Sequence, residues 1–491
     1  MNPTTPASAR AHWKKSFFWL ALAVACFHAA YSSLKFPVAG LLIFGYAFGL
    51  VKVCDQPNVR RAFYFGLATG YLCIAPQLFF MWNIFNAFAI VLWLVLAFWI
   101  GLFTATVCGC QLRWGKTNTA WLIPILWTGI EYFRSELYYL KFSWMNIGYV
   151  FPDPTGFIGM YGIGFLTFAV ASIYCHRHLL ARKTIDALIV LVLLLILWAM
   201  LLPAVAYTKH KRVPPISFVG IQLEFPTENL LPRILNQALA KNTNAQIFVL
   251  SEYTLNEKPG GVPDALKNWC RDNSKFLVVG GKAFVTNDVY YNTAFVVGTN
   301  GDIVFSQAKS VPIQFFADGL PAPKRELWNS PWGKIGICIC YDLSYTRVTD
   351  ELVRQGAQLL IVPTMDVETW GRHQHELHSR VAPVRAAEYG VPIFRVASSG
   401  ISQAVTGSGS VIAQTTMPGN GEIFSAQLRL PRQGSIPLDR YFGPLCTGLT
   451  ALMLAALLWL WGRSELALAA RRRAGVKAKA SSSDACSADS A

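Results

Sequence analysis

Long apolar runs dominate the first 207 residues and return once near the end of the chain. A helix that crosses the hydrocarbon core of a bilayer needs about 20 mostly apolar residues. Runs of nearly that length lie near residues 16–33, 36–53, 62–82, 86–110, 119–134, 156–175, 184–207 and 442–462. The pattern predicts eight membrane-spanning helices, seven before and one after a long segment of ordinary polarity. The fifth run is the shortest and contains Pro124.

The periodicity changes in the segment between the seventh and eighth runs. Helical stretches lie there near 228–241, 263–273, 344–355 and 373–389. They alternate with the predicted strands ISFVGIQ, AQIFVLSE, KFLVVGGKAF, YYNTAFVVGT, KIGICICYD, AQLLIVPT and VPIFRVAS. Several strands are almost continuous apolar runs, as expected where both faces of a sheet are covered. The segment is therefore predicted to be one α/β domain.

Basic residues at the ends of the apolar runs predict the orientation of the chain. They precede the first run, follow the eighth, and separate the second from the third, the fourth from the fifth and the sixth from the seventh. The positive-inside rule places all five sites in the cytoplasm. Lys209, Lys211 and Arg212 contradict this placement, but they begin a long domain, where the rule has less force. We expect no cleavable signal peptide.

These patterns divide the chain into four predicted parts. They are a bundle of seven spans (1–207), an extracytoplasmic α/β domain (208–440), a C-terminal transmembrane helix (441–463) and a basic cytoplasmic tail (464–491). The tail is rich in Ala, Ser and Lys, a composition that predicts disorder.

Composition supports a membrane protein and narrows the possible partners. Of 491 residues, 53% are hydrophobic and 14% charged, and the mean hydropathy is +0.36. The net charge of +16 comes largely from Lys and Arg tracts beside apolar runs, without a nucleic-acid-binding motif. The eleven cysteines include no CxxC pair and lie mostly in apolar runs, as buried thiols do. We expect no nucleic-acid partner, disulfide framework, metal or cofactor.

Three reactive side chains lie at or near the ends of strands. Glu252 ends AQIFVLSE, Lys309 follows DIVFSQA, and Cys340 nearly ends KIGICICYD. Functional sites in α/β folds collect at strand termini. A carboxylate, an ammonium and a thiol suffice for acyl transfer, since a base can take the thiol proton, the thiolate can attack a carbonyl, and the cation can stabilise the oxyanion. Taken singly, each residue is more commonly a surface charge or a core thiol.

The surroundings of these residues resemble the nitrilase, or carbon–nitrogen hydrolase, superfamily. The matching segments are LSEYT, the Lys309 segment, ICYD, PTMDVETWG, HQHELHSRVAPVRAAEYGVPIFR and SSGIS. The resemblance implies an αββα sandwich with Glu252 as base, Lys309 as oxyanion stabiliser and Cys340 as nucleophile. It selects Cys340 because Tyr341 and Asp342 follow directly. Cys338 is then expected in the core or pocket wall, on the same face of the strand as Cys340.

The membrane context narrows the resemblance to the apolipoprotein N-acyltransferase family. LWTGIEYFRSELYYLKFSWMNIGY and MYGIGFLTF are similar to its N-terminal segments, so the likeness spans about residues 16–462. It implies ping-pong transfer of an acyl chain from a phospholipid to the N-terminal amine of S-diacylglyceryl-cysteine in apolipoproteins. The expected protein is a monomer of the inner membrane with a periplasmic catalytic domain. Two alternatives remain: a membrane-bound amidase that hydrolyses a small amide, and a non-catalytic lipid-binding relative.

Two positions depart from the family pattern. Asp342 stands where the family usually has Glu after Cys-Tyr. In KSVPIQFFADG the neutral Gln314 falls near a position that is acidic in the family. Gln cannot take a proton at neutral pH, so either Gln314 only positions Lys309 or Asp318 supplies the charge. The segments PIQFFADG and VETWG, the latter with Trp370, are expected to form lids that keep water from a thioester.

Further candidates lie on the membrane side of the site and in a histidine-rich segment. Glu131 and Arg134 are spaced to pair on one helix face near the outer end of the fifth span, as a functional pair or as an anchor for the outer loop. Trp144, Met145 and Tyr149 are expected to anchor the outer loop at the membrane interface or, alternatively, to line a lipid entrance. His373, His375 and His378 resemble a metal cluster but lack a completing ligand pattern.

Overall fold

The computed structural model describes residues 6–32, 37–151, 155–179, 214–257, 260–286, 288–417, 421–431 and 433–488. The predicted seventh span, 184–207, lies outside these residues. The same holds for Lys209, Lys211 and Arg212, which contradicted the predicted orientation.

Among the described residues up to 179, helices form in each of the six predicted apolar runs. The helices are α1 (Pro6–Tyr31), α2 (Ile43–Val53), α3 (Val59–Gln77), α4 (Phe80–Phe85), α5 (Phe88–Trp114), α6 (Lys116–Tyr132), α7 (Thr155–Ile158) and α8 (Met160–His176). They pack closely, because small residues let backbones approach. A Cβ on Gly66 of α3 would lie 1.9 Å from Thr104 Oγ1 of α5.

Two helices of the described chain are long and apolar enough to cross a membrane. They are α5 and Asp439–Leu466, the first part of the last helix, α14 (Asp439–Ala488). The other helices in predicted spans are shorter or interrupted: α2 has 11 residues and α6 has 17. The α14 helix continues through 464–488, where the sequence predicts disorder. The tail's many Ala, Lys and Arg residues are strong helix formers, which accounts for this difference.

The α/β domain contains two six-stranded sheets. Its strands are β1 (Ile216–Ile221), β2 (Ile247–Leu250), β3 (Phe276–Phe284), β4 (Tyr290–Val297), β5 (Ile303–Ala308), β6 (Leu327–Ser330), β7 (Gly333–Ile337), β8 (Leu359–Thr364), β9 (Ile393–Ala397), β10 (Gln403–Val405), β11 (Val411–Gln414) and β12 (Ile423–Leu428). The orders are β12-β1-β2-β3-β4-β5 and β11-β10-β9-β8-β7-β6. In each sheet three central strands are parallel and the outer ones antiparallel.

The two sheets pack face to face through apolar side chains. Phe218 of β1 stacks on Phe394 of β9, with ring centroids 4.9 Å apart. The helices that cover the outer faces are α9 (Leu231–Lys241), α10 (Asp264–Asn273), α11 (Thr346–Arg354), α12 (Arg372–Ser379) and α13 (Val381–Tyr389). This arrangement is the predicted nitrilase-like sandwich. The predicted helix over 373–389 is two helices, which meet at Arg380.

The outer face of the second sheet joins the N-terminal helices in one hydrophobic core. Val348 of α11 and Val384 of α13 belong to the same buried cluster as Phe103 of α5 and Trp127 of α6. The carboxyl ends of β7 and β8 lead into segments that face α4 and α5 across a cleft.

Candidate active site

Glu252, Lys309 and Asp318 form a buried network of charges. Glu252 lies two residues after β2, and Lys309 follows β5 directly. The Lys309 ammonium lies 2.8 Å from Glu252 Oε1 and 2.7 Å from Asp318 Oδ2. The side chains of Lys309 and Glu252 are completely buried, so solvent does little to screen the attraction between these charges.

Neighbouring groups complete the hydrogen bonding of the two carboxylates. Asn292 Nδ2 donates to Glu252 Oε1 at 2.6 Å and to Asp318 Oδ1 at 2.9 Å. The Tyr253 hydroxyl donates to Asp318 Oδ1 at 2.8 Å. The second Glu252 oxygen accepts the Met365 backbone N–H at 2.7 Å. Both carboxylates are therefore held in fixed orientations.

The protonation of this network follows from burial and charge together. Burial raises the pKa of Glu252 above its usual 4.5, although Lys309 opposes the rise. Burial alone would lower the pKa of Lys309, but the two carboxylates hold it well above its usual value. For Asp318 the nearby ammonium outweighs burial and lowers the pKa. Lys309 is thus a permanent cation, and Glu252 is the better proton acceptor of the two carboxylates.

Cys340 is the first residue of the short 3-10 turn Cys340–Ser344, three residues after β7 ends. Its φ of +52° is a left-handed conformation that is uncommon for a residue with a Cβ. The thiol lies 3.7 Å from the Met365 carbonyl oxygen, to which it donates. Since the Met365 N–H binds Glu252, this one residue connects the thiol to the carboxylate.

The prediction that Cys338 and Cys340 share a face is wrong. The strand ends at Ile337, so the alternation of side chains stops before either thiol. Cys338 packs in the cluster of Leu343 and Val348, on the helix side of the sheet. Cys340 belongs instead to the cluster between the two sheets. Cys338 is a core residue, as expected.

The Cys340 thiol requires a base. Burial raises its pKa well above the ordinary 9.0, and Glu252 adds to the rise, while Lys309 lowers it. The thiol is therefore protonated at neutral pH and must transfer its proton before it can act as a nucleophile. Glu252 provides a carboxylate for this transfer, and Lys309 a cation for the charge that then develops on a carbonyl oxygen.

Asp342 holds the turn of Cys340 against the segment that follows Lys309. Its two oxygens accept the backbone N–H groups of Ser310 at 3.0 Å and Val311 at 2.7 Å. Burial raises the pKa of Asp342 to about 6, against these hydrogen bonds and the Lys309 charge. The shorter carboxylate at this position therefore joins two parts of the site without contacting the cleft.

Gln314 and Asp318, the two candidates for the acidic position, have different partners. Asp318 forms the second ion pair of Lys309 and also accepts the Ile313 backbone N–H at 2.7 Å. The Gln314 amide donates instead to the backbone carbonyl of Tyr139. Asp318 supplies the charge, and Gln314 connects the predicted 312–319 lid to the loop after α6.

An apolar cleft that is open to the surface reaches Cys340. One wall is made by residues 80–85 of α4 and 92–96 of α5, and the opposite wall by residues 313–316 together with Tyr341 and Trp370. Phe315 contacts Phe85 and Phe88, with ring centroids 6.0 and 5.6 Å apart. Residues 140–144 form the floor, where the Tyr341 hydroxyl donates to the Lys141 carbonyl at 3.0 Å. The cleft has the shape and polarity to accept a hydrocarbon chain.

Trp144, Met145 and Tyr149 are all buried, so the predicted location at the membrane interface is wrong. The loop that contains them folds inward between the helices and the α/β domain. Trp144 Nε1 donates to Ser344 Oγ at 3.0 Å, and the ring stacks on His378 with centroids 4.6 Å apart. Trp144 also lines the cleft.

Glu131 and Arg134 both anchor this loop, but no ion pair joins them in the described structure. Glu131 Oε1 accepts the Ile147 backbone N–H at 3.2 Å, and Arg134 donates to the Asn146 side chain. A one-turn π-helix, Phe133–Leu137, follows α6 at this point. The pairing predicted from the i, i+3 spacing is replaced by two separate contacts to one loop.

The three histidines have different partners. His373 lies 2.9 Å from Gln77 Oε1, His375 3.0 Å from the Val367 carbonyl, and His378 2.7 Å from Asp366 Oδ1.

Sequence reasoning missed Asn292, whose one visible signal is a lone amide within the apolar strand YYNTAFVV. It also missed the pair formed by Asp366 and His378, which no spacing rule brings together.

Comparison with known proteins covers both parts of the chain. Residues 218–436 match the family model described as carbon-nitrogen hydrolase, and residues 23–173 match the apolipoprotein N-acyltransferase N-terminal domain. The apolipoprotein N-acyltransferase of Geobacter metallireducens is 25% identical over 448 residues, covering 78% of this chain and 85% of that protein. Both parts of the chain are therefore similar to apolipoprotein N-acyltransferases. On these matches the chain is an acyltransferase with a carbon-nitrogen hydrolase domain.

Other proteins are also similar to this chain. The apolipoprotein N-acyltransferase of Shewanella oneidensis is 22% identical over 476 residues, covering 83% of this chain and 90% of its own. Among solved structures, Saccharomyces cerevisiae Nit3, a member of branch 10 of the nitrilase superfamily, matches with a TM-score of 0.38 and 20% identity. That match covers 44% of this chain and 90% of Nit3.

Proposed function

We propose that this acyltransferase moves an acyl chain from a phospholipid to the N-terminal amine of S-diacylglyceryl-cysteine in apolipoproteins. The reaction proceeds in two steps through a thioester on Cys340, so the kinetics are ping-pong. The observation that carries this proposal is the apolar cleft that runs from α4 and α5 to the Cys340 sulfur. A small polar amide would not need such a cleft, whereas an acyl chain does.

In the first step Glu252 takes the proton of the Cys340 thiol, and the thiolate attacks the ester carbonyl of the phospholipid. Lys309 stabilises the oxyanion, together with backbone N–H groups of the turn after Cys340. Protonated Glu252 then gives its proton to the departing lysophospholipid oxygen. The contacts of Lys309 with Glu252 and Asp318 support this division of roles, because they keep the ammonium charged and in place.

The 312–319 and 367–371 segments act as lids. Phe316 lies between the ring of Phe85 on α4, at 5.7 Å, and that of Trp370, at 6.1 Å. These aromatic side chains cover the cleft next to Cys340 and would keep water from a thioester. Tyr341 and Trp144 line the inner part of the same cleft and would contact the acyl chain.

The proposal includes a location in the cell inner membrane with eight spans, and a catalytic domain on the periplasmic side. The basic flanks of the apolar runs support this orientation. It brings the mouth of the cleft to the outer end of α5, where a phospholipid could enter sideways. The protein would act as a monomer with lipid and lipoprotein as its partners.

The two rival functions fit less well. A membrane-bound amidase would use the same three residues with water as acceptor, but the aromatic lids and the apolar lining of the cleft favour a reaction that excludes water. A non-catalytic lipid-binding protein would not need a buried cation and two carboxylates beside a thiol that lines the cleft.

Mass spectrometry of a lipoprotein N-terminus tests the proposal. The α-amine should carry an added acyl chain in cells that contain this protein, and should be free in cells that lack it. A free amine in the presence of the active, membrane-inserted protein would end the proposal.

The nucleophile is tested by a pair of variants. Cys340→Ala should lose all capture of a labelled acyl group from phospholipid, since no other cysteine lines the cleft in the described structure. Cys338→Ala is the matched control and should retain capture, because Cys338 lies in the core behind the sheet. The opposite result would assign the thioester to Cys338.

A further inference from the structure

Asp366 and His378 form a buried pair beside the cleft that the proposed chemistry does not yet use. Asp366 lies two residues after β8, and His378 lies near the end of α12. His378 Nδ1 is 2.7 Å from Asp366 Oδ1. The side chain of Asp366 is fully buried and that of His378 almost so, at 2% exposure. A buried carboxylate and imidazole in contact are a common arrangement for proton transfer.

Other contacts hold Asp366 in place and define the state of the imidazole. Arg395 Nη2 donates to Asp366 Oδ2 at 2.6 Å, and Gln374 Nε2 donates to Asp366 Oδ1 at 3.1 Å. Nδ1 of His378 lies closer to the ionised Asp366 Oδ1, at 2.7 Å, than to Arg395 Nη2, at 3.0 Å, and that Arg395 nitrogen already donates to Asp366 Oδ2. We therefore assign the Nδ1 proton of His378 to the bond with Asp366. The other ring nitrogen, Nε2, is then an unprotonated acceptor.

The His378 imidazole lies in the lining of the cleft. His378 lines the same cleft as Cys340, and within the described chain no hydrogen-bond partner is present for Nε2. Trp144 stacks flat on the ring. The Met365 carbonyl, which accepts the Cys340 thiol, immediately precedes Asp366 in the chain. His378 and the thiol therefore face one space from neighbouring elements.

The second step of transfer needs two proton acceptors. An α-amine arrives largely as an ammonium at neutral pH and must lose two protons to become an amide. Glu252 can hold only one proton at a time, and three donors already occupy its oxygens: Asn292, Lys309 and the Met365 N–H. Gln314 cannot serve, because an amide does not take a proton.

We propose that His378 is the base that deprotonates the acceptor ammonium before it attacks the Cys340 thioester. This inference rests on the proposed function and adds a residue to its second step. Nε2 takes one proton from the ammonium, and Asp366 stabilises the imidazolium. The free amine then forms the C–N bond, Glu252 takes the second proton, and the C–S bond breaks as Glu252 returns that proton to the Cys340 sulfur. His378 releases its proton to solvent, so one proton is released per amide formed.

The groups around His378 suit this role. Burial lowers its pKa below the usual 6.5, although Asp366 opposes the change, and the positive Arg395 and the neighbouring His375 lower it further. The imidazole is therefore neutral at neutral pH and able to accept a proton. The titratable or charged groups that face it are Asp366 from the β8 end, Arg395 from β9, and His375 from its own helix.

The test separates the two steps in the full-length protein in detergent. The protein is loaded with a labelled acyl chain from phosphatidylethanolamine, and the loss of label from Cys340 is timed with two nucleophiles. One is a lipopeptide with an N-terminal S-diacylglyceryl-cysteine, which is mostly an ammonium at neutral pH. The other is hydroxylamine, which is uncharged there and needs no base before attack. His378→Asn keeps an amide N–H where Nδ1 contacts Asp366 but lacks Nε2.

His378→Asn should load normally, transfer to the lipopeptide about 100-fold more slowly, and react with hydroxylamine within about threefold of the wild-type rate. The lipopeptide deficit should shrink as the pH is raised toward the pKa of the amine. His375→Asn is the matched control and should behave as wild type, because His375 turns to the Val367 carbonyl and to Met417.

Several results would overturn the assignment. An unchanged rate of transfer to the lipopeptide would exclude His378 as the base. An equal loss of rate with lipopeptide and with hydroxylamine would mean that His378 only holds Trp144 in place. His378→Gln serves as a second variant if His378→Asn does not load. If neither variant loads, His378 acts in folding or in the first step, against the proposal. Failure of the wild-type protein to load, or to transfer to the lipopeptide, would instead refute the proposed function and the inference with it.

Discussion

Two buried networks of charged side chains lie in this molecule, one beside Cys340 and one where the α/β domain meets α8 and α14. In the first, Lys309 lies between Glu252 and Asp318. In the second, Arg440 contacts Asp350 at 3.0 Å and Glu388 at 2.9 Å, and also its neighbour Asp439. In both networks a buried cation is in contact with more than one buried carboxylate.

The networks differ in what satisfies their carboxylates. At the domain junction the first N–H groups of α8 complete the bonding: the Met160 N–H donates to Glu388 at 2.7 Å and the Tyr161 N–H to Asp439 at 2.9 Å. The positive end of a helix is a natural partner for these carboxylates. Arg385 adds a further ion pair to Glu388. This network fixes one domain to another and has no open side toward the cleft.

The network beside Cys340 is instead next to a thiol and an apolar cleft. Lys309, the cation of this network, acts on a reactive group, because its charge lowers the pKa of the Cys340 thiol while burial raises it. The comparison shows that buried charge alone does not identify a functional site. A functional site is identified when the buried charges also lie close to a nucleophile and to an accessible cleft.

Among changes to the two networks, removal of Lys309 should have the largest effect on activity. Lys309→Met leaves Glu252 and Asp318 buried with no counter-ion, so acyl capture by Cys340 should fall by about 10²–10³-fold and stability by about 3–5 kcal/mol. Labelled acyl capture and thermal unfolding in detergent measure the two effects. Lys324→Met is the control, since Lys324 is an exposed lysine paired with Glu326, and should change stability by less than about 1 kcal/mol. Normal capture by folded Lys309→Met would remove the functional distinction between the networks.

The corresponding change at the domain junction should affect stability and not chemistry. Arg440→Met leaves three carboxylates with too few cations and should destabilise the protein by about 3–5 kcal/mol. The acyl capture of the remaining folded molecules should stay close to wild type. Arg354→Met, at the exposed rim of the same network, is the control for a lost surface charge. A loss of capture without a loss of stability would show that the junction is coupled to the site.

A smaller effect should distinguish Asp318 from Gln314. Asp318→Asn removes one charged hydrogen bond of Lys309, which is worth about 1.5–3 kcal/mol, so capture should fall roughly 10- to 100-fold. Gln314→Ala removes only the bond to the Tyr139 carbonyl and should cost less than about threefold. Rates of acyl capture measure both. A larger deficit for Gln314→Ala would reverse the assignment of the second acidic position.

The smallest expected effect is on pH dependence. Glu252 must be ionised to accept the thiol proton, and its pKa lies above the ordinary 4.5. Capture should therefore fall on acidification at a pH above the range of a free glutamate. Asp318→Asn removes a negative neighbour that raises the pKa of Glu252, so the fall should shift to lower pH. A shift in the opposite direction in single-turnover profiles would contradict this electrostatic coupling, and Lys324→Met should leave the profile unchanged.

Much of the fold could be predicted because its signals are local. Apolar runs such as AQLLIVPT identify strands without reference to the rest of the chain, and helices occupy the predicted positions up to residue 176. Membrane-spanning helices are harder to predict from local apolar runs. The 11-residue α2 and the 17-residue α6 show that an apolar run in sequence need not form an uninterrupted helix of spanning length.

The site was less predictable because its contacts join distant segments. Glu252, Lys309 and Cys340 were found through strand ends and a family resemblance, but the face of Cys338 was misassigned. The strand stops at Ile337, and the positive φ of Cys340 cannot be read from alternation. Pairs such as Asp366 and His378 depend on how α12 lies against the end of β8, which no local pattern encodes.

The apolar cleft has a practical consequence for chemical probes. Cys340 is only 2% exposed, and the walls in front of it are largely aromatic and aliphatic side chains. A small polar alkylating reagent would have little access to that sulfur. An electrophile at the end of a long alkyl tail would be concentrated beside it, so tail length offers a way to tune inhibitors of this enzyme.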